Sequence, residues 1–168
     1  DEAVIIKPNI KIWPEKWIEE RTIVNENLVW GTKASKSIFG FRGVSGEMNI
    51  DVSPEFASKL GAAFVSTLKA KPTVIVSCDA SNASRIIKNS LVVGMKSSGS
   101  GIIDIGETVM PVNRFAIKHF KGSGGIHIRM DKTDKNFVHI EFADEEGVNI
   151  QRSVEREIEN LFNREEFK

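Results

Sequence analysis

Residues 72–106 read "PTVIVSCDASNASRIIKNSLVVGMKSSGSGIIDIG", and the order of the parts in this stretch decides the fold. An apolar run, "TVIV", ends in Ser77, Cys78 and Asp79, as expected of a strand buried on both faces. Ile86, Ile87, Leu91, Val92 and Met95 then recur at helical spacing across 82–98, until Gly99 stops the helix. A second short apolar run, "GIIDIG", follows. Strand, helix and strand in that order form a crossover unit, with the two strands parallel in one sheet and the helix packed on its face.

The flanking sequence extends the same design. Upstream, "DVSPEFASKLGAAFVSTLKA" (51–70) opens a helix: Ser53 caps it and Pro54 suits the first helical position. Phe56, Leu60, Ala63, Phe64 and Leu68 form its apolar face. Before it, "SIFGFRGVSGEMNI" (37–50) alternates around Gly40, Gly43 and Gly46, which predicts a strand, a turn and a second short strand. Downstream, Pro111 opens a third helix, with Phe115, Ala116 and Phe120 expected inside. "GGIHIRMDKTDKNFVHIEF" (124–142) predicts a hairpin: Ile126 and Ile128 share one face, as do Val138, Ile140 and Phe142 on its partner strand. Val154, Ile158, Leu161 and Phe162 line one side of a closing amphipathic helix. The fold expected over 37–168 is a three-layer α/β/α domain with a mixed, mostly parallel sheet.

Residues 1–36 have another texture. "AVIIKPNIKIWPEKWIEERTIVNENLVWG" spaces Ile6, Ile10, Ile12, Trp17, Ile18, Ile23, Leu28 and Val29 between short polar turns, with Pro8 and Pro14 as punctuation. Two readings fit: a short N-terminal β-solenoid arm, or an irregular β-hairpin arm. In either case its open edge is expected to self-associate.

The 168 residues are 40% apolar and 27% charged, values of a globular domain. Twenty-three basic residues balance 23 acidic ones, which removes any bulk electrostatic reason to bind nucleic acid or an anionic membrane. No apolar run is long enough to span a bilayer. The one cysteine, Cys78, excludes an internal disulfide and, with no signal peptide visible, points to the cytoplasm. The chain starts without Met in the middle of a strand-like pattern, as a fragment of a longer protein would.

Chemistry has few local signals. His119, His127 and His139 are scattered and lack a third ligand, so no metal site is expected. Cys78 has no basic neighbour and reads as a small buried hydrophobe. The glycine turns "GFRGVSGE" and "KGSGG" can each offer backbone N–H groups to an anion, with Arg42, Lys121, Arg129 and Lys132 nearby to add positive charge.

In their order these pieces resemble the first domain of the α-D-phosphohexomutases, the phosphomannomutase/phosphoglucomutase superfamily. That family carries F-G-T-S-G-I-R-G, G-R-D-T-R-x-S, P-T-P and G-G-I-x-I-T-A-S-H-N-P, whose serine bears the transferred phosphoryl group. Phe39, Gly40, Gly43 and Gly46 match the first motif. Asp79 and Ser84 match parts of the second, Pro111 the third, and Gly124, Gly125 and Ile126 the fourth. The departures fall on phosphate-handling positions. Arg42 replaces the first-motif serine and Ser45 its arginine, while Cys78 and Ser81 replace both arginines of the second. Asp131 stands at the phosphoserine position and Lys132 at the histidine. The family's metal loop, D-G-D-G-D, belongs to its second domain and does not occur here.

The resemblance implies a degenerate, non-catalytic domain, with no cofactor in this fragment, serving assembly or phosphosugar sensing. A solenoid running into such a domain further resembles the rear of mannose-1-phosphate guanylyltransferase-like sugar nucleotidyltransferases, in which a hexapeptide β-helix precedes a mutase-like region. The rival expectations are a working mutase, using Asp131, Ser45 or Ser123 as carrier, and a purely structural oligomerisation module. The expected binding site is a rim formed by 43–46, 79–81 and 129–132, with Arg42, Ser45, Asp79, Ser81, Arg129 and Lys132 as binding residues.

Overall fold

The structure is a computed structural model and describes residues 3–14, 16–24, 33–34, 37–69 and 71–167. The chain divides into two compact units, Asp1–Ile38 and Phe39–Lys168.

In the first unit β1 (Ile5–Ile6) pairs in parallel with β3 (Ile23–Val24), and β2 (Trp17–Ile18) with β4 (Lys33–Ala34). The Ile5 N–H donates to Thr22 O (3.0 Å) and the Lys7 N–H to Val24 O (3.1 Å). A hairpin arm would pair its strands antiparallel, and the described residues do not. Val24 is buried, whereas Ile5, Ile6 and Ile23 stand about half exposed. Leu28 and Val29, expected among the apolar positions, lie outside the described residues.

The second unit runs β5 (Phe39–Gly40), β6 (Gly43–Glu47), α1 (Pro54–Ser66), β7 (Thr73–Cys78), α2 (Asn82–Ser97), β8 (Gly101–Glu107), α3 (Met110–His119), β9 (Gly124–Met130), β10 (Phe137–Asp144) and α4 (Arg152–Arg164). One six-stranded sheet is ordered β5-β6-β10-β9-β7-β8. β7 pairs in parallel with β8 and β9, as the crossover reading requires, while β5–β6, β6–β10 and β10–β9 are antiparallel. By its pairings the sheet is therefore mixed rather than mostly parallel: hairpins join β5 to β6 and β9 to β10, and β10 then pairs antiparallel with β6.

Successive strand residues point to opposite faces, and the helices divide accordingly. Phe64 of α1 packs on Phe142 (ring centroids 5.2 Å), which also meets Phe39 at 5.4 Å. On the other face, a Cβ placed on Gly125 would strike Ile117 and Asn113 of α3. α1, α2 and α4 thus form one layer and α3 the other. Ser53 Oγ accepts from the Phe56 N–H (3.1 Å), the cap expected for α1. α1 and α2 cross closely at Gly61 and Gly94; a Cβ at Gly94 would lie 1.8 Å from the Ser58 carbonyl oxygen. Phe56 and Phe162 join α1 to α4 with centroids 5.0 Å apart.

Some inward positions were misassigned from sequence. α3 buries Asn113, Ala116 and Ile117, while Phe115 and Phe120 face outward, as does Ile86 of α2. The strands beneath carry Gly125 and Ser77, and α3 comes down so close on them, with Ile117 and Asn113 filling the space a Gly125 side chain would take, that phenylalanine does not fit on this side. No described helix is long and apolar enough to cross a membrane.

Candidate functional site

The parallel strands β7 and β9 end side by side, and Asp79 ties their ends together. Its Oδ2 accepts from the Met130 N–H (2.7 Å) and its Oδ1 from the Ser81 N–H (2.9 Å). Its own N–H donates to Ile128 O (2.9 Å). Burial alone would push this carboxyl up; the backbone N–H groups of Met130 and Ser81 outweigh that and hold it below the usual range. Ser81 in turn caps α2, its Oγ accepting from the Ser84 N–H at 3.0 Å.

One residue beyond Met130 the chain enters the charged turn, and Asp131 organises it. Oδ1 accepts from the Thr133 hydroxyl (2.7 Å), the Thr133 N–H (2.8 Å) and the Asp134 N–H (3.2 Å). His139 Nε2 donates to Oδ2 at 3.0 Å. The Thr133 hydroxyl and N–H, then His139 and the Asp134 N–H, drive the Asp131 carboxyl far below the ordinary carboxylate range. Both oxygens of this carboxylate are engaged, Oδ1 in closing its own turn and Oδ2 by His139 of β10.

Beside these strand ends, on the α3 face, lies a cleft of about 940 Å³. Arg42, Arg114, Arg129 and Lys132 line it, together with Asp79, Asp131 and Glu141. The acids are largely committed: Asp79 and Asp131 to backbone N–H groups, and Glu141 Oε1 to the Arg129 Nε–H at 2.8 Å. Arg114 donates to Asn149 Oδ1, a neutral partner. The Arg42 guanidinium lies over the Phe41 ring, 5.9 Å from its centroid. Among the described residues Lys132 has no ion-pair or hydrogen-bond partner. Among the described residues Arg42, Arg114 and Lys132 therefore line the cleft without a carboxylate partner, next to the N-terminus of α3, whose N-cap Val109 supplies no side-chain cap. Such a cleft suits a phosphate-bearing ligand.

A buried polar row continues from the cleft floor into the domain. His127, 2% exposed, sits directly across from Glu141 on β10. Its Nδ1 lies 2.9 Å from Ser77 Oγ, which accepts from Asn113 Nδ2 at 2.8 Å. The Ser77 proton is then free to go to Nδ1, which leaves the imidazole proton on Nε2. Burial pushes the His127 pKa down, so the ring is neutral at physiological pH.

The structure thus gathers Arg42, Asp79, Arg129, Asp131 and Lys132 in one cleft and leaves out Ser45 and Ser81. Ser45 lies within strand β6, opposite His139, instead of in a rim loop. Ser81 is spent as a helix cap. The "KGSGG" turn lies at the other end of β9, where the Ser123 hydroxyl accepts from the Thr73 N–H (3.2 Å), so neither it nor Lys121 reaches the cleft. A cavity of about 380 Å³ at that far end is rimmed by Asp144, Glu145 and Glu146, with Lys69 its one cation, and does not suit an anion. Among the described residues no three or more His, Cys, Asp or Glu are grouped to hold a metal.

A profile of the phosphoglucomutase/phosphomannomutase alpha/beta/alpha domain I matches residues 36–168. The chain belongs to this family. A phosphoglucomutase/phosphomannomutase of Thermococcus kodakarensis is 32% identical over 134 residues, covering 77% of this chain and 29% of that protein. A phosphoglucosamine mutase of Prochlorococcus marinus is 31% identical over 126 residues, covering 75% and 28%. The crystal structure of a phosphoglucomutase/phosphomannomutase family protein from Burkholderia thailandensis superposes with a TM-score of 0.70 at 19% identity, over 80% of this chain and 31% of that one. The chain spans about three tenths of the length of the curated relatives it matches.

Within this phosphohexomutase domain I, sequence reasoning missed Arg114, His139, Glu141 and Asn149. Alternation along the 124–142 hairpin places Arg129, His139 and Glu141 on one face, and that signal was there to be used. Arg114 and Asn149 meet only through tertiary packing and had no local signature.

Proposed function

We propose that residues 39–168 form a phosphohexomutase-type domain that binds a phosphosugar but does not carry the transferred phosphoryl group. The observation that supports this is the state of Asp131, which stands where the family's motif has its phosphoserine. A nucleophilic carboxylate needs a free oxygen in line with phosphorus, with cations gathered on the transferred group. Here both oxygens are held by Thr133, Asp134 and His139. The strongly lowered basicity of the group makes it a weak nucleophile as well. Among the described residues Arg42, Arg114 and Lys132 line the cleft without a carboxylate partner, which supports anion binding where the carrier hydroxyl is gone. The permanent negative charge of Asp131 imitates part of the charge of a phosphoserine.

The decisive experiment follows mannose 1-phosphate mixed with the protein by phosphorus NMR. Bound-ligand shifts without growth of a mannose 6-phosphate signal, and without a phosphorylated protein by intact mass, support the reading. Turnover, or phosphate on Asp131, sinks it.

The first unit supports a second element of the proposal, that the domain works within a sugar-nucleotide enzyme behind a β-helix. Ile5 pairs in parallel with Ile23, about 18 residues on, a spacing that suits one coil of three six-residue faces. The half-exposed Ile5 and Ile23 side chains favour self-association there. Sedimentation over a concentration series tests this: a chain that stays monomeric removes the assembly role.

A further inference from the structure

We propose that Phe41 is the platform on which the ring of a hexose phosphate lies when its phosphate is held by Arg42, so that the cleft selects sugar phosphates over free phosphate. This rests on the reading of the cleft as a phosphosugar site and names what that site recognises besides charge.

Phe41 is 90% exposed, the barest large hydrophobic among the described residues. A single exposed apolar residue needs no explanation, but the placement of this one does. It forms the two-residue tip Phe41-Arg42 between the paired Gly40 and Gly43. Gly43 has φ +104°, and a Cβ there would approach Ile140 O to 2.3 Å, so the base of the hairpin is pressed onto β10 and the tip is held in place. The Arg42 guanidinium lines the cleft and lies 5.9 Å from the Phe41 ring centroid. A phosphate on Arg42 therefore puts whatever it is attached to within reach of that ring. A small notch bordered by Phe41 shares Arg42 and Asn149 with the lining of the cleft.

A pyranose has an apolar C–H face and a rim of hydroxyls, and it is bound by an aromatic face with planar polar groups around the edge. The planar groups are present as two pairs, Arg129–Glu141 and Arg114–Asn149. Each pair keeps donors and acceptors to spare after bonding its partner.

The test is calorimetric titration of the full chain with mannose 1-phosphate and, separately, with inorganic phosphate, for the unsubstituted protein, Phe41→Ala and Phe41→Trp. Phe41→Ala is expected to weaken mannose 1-phosphate by roughly tenfold, as losing one aromatic stacking contact does, and to leave inorganic phosphate unchanged. Phe41→Trp should restore the sugar phosphate. The substituted side chain is solvent-facing, so folding is preserved, and circular dichroism checks it. An equal loss for both ligands, or no loss for either, overturns the inference while leaving the phosphate site standing. Failure of both ligands to bind the unsubstituted protein overturns the site and this inference together.

Discussion

Replacing Glu141 by Gln should move stability and ligand affinity in opposite directions. Glu141 Oε1 accepts from Arg129 Nε at 2.8 Å, with side-chain exposures of 12% for the glutamate and 29% for the arginine. Two unit charges about 4 Å apart attract by about 4 kcal/mol at an effective dielectric constant of 20. Keeping this largely buried carboxylate charged costs part of that. The amide retains a hydrogen bond to Arg129, so the net loss is about 1–3 kcal/mol. A urea melt reads it as a lower midpoint at unchanged slope. The same substitution removes the carboxylate that neutralises Arg129 inside the cleft. Inorganic phosphate should then bind roughly threefold to tenfold tighter at low salt, from one added cation near the ligand. An unchanged midpoint would mean the pair contributes nothing to the fold. Weaker phosphate binding would mean Glu141 holds the ligand rather than shielding Arg129, and would refute the electrostatic account of the cleft.

Other outcomes follow from the same geometry. Lys132→Glu should weaken phosphate about threefold to tenfold at low salt, and the loss should shrink as salt is raised; an unchanged affinity removes Lys132 from the site. Gly94→Ala forces a methyl to 1.8 Å from the Ser58 carbonyl oxygen, a backbone atom that cannot swing away. A loss of about 3 kcal/mol in a urea melt is expected, and one below about 0.5 kcal/mol would contradict the close crossing of α1 and α2. His127 has a folded-state pKa below its unfolded one. The unfolded chain therefore takes up a proton first, and stability should fall as pH drops below about 6.5, by at most about 1.4 kcal/mol per unit. His127→Asn should flatten that slope between about pH 5 and 6.5. The contributions of Asp79 and Asp131, whose folded pKa values are lowered, are lost only below about pH 4. An equal slope in the variant would assign the acid sensitivity elsewhere.

The crossover 72–106 was legible because an unbroken apolar run and a helical period are local properties, and burial on both faces of β7 leaves no other strand reading. Asp79 and Asp131 were legible as strand-end residues for the same reason. The inward side of α3 was not. Phe115 and Phe120 are the bulkiest apolar residues there, yet the strands beneath offer Gly125 and Ser77, and a glycine's vacancy is visible only once the strand is in place. Ser45 misled because the glycines flanking it read as a loop, whereas a glycine pressed against a neighbouring strand equally marks a close approach of backbones, as at Gly43. What Asp131 does was hidden because its partner His139 comes from the opposite strand. A carboxylate that closes its own turn has the same letter as one that attacks phosphorus.

In the proposed function, the cations of the cleft beside Asp131 hold a phosphosugar by its phosphate group. The most direct measurement is a calorimetric titration of the protein with mannose 1-phosphate, repeated in the presence of inorganic phosphate. Saturable binding at one site, displaced by inorganic phosphate and weakened by salt, is the predicted result. Heat that never saturates, or binding indifferent to phosphate and salt, contradicts it.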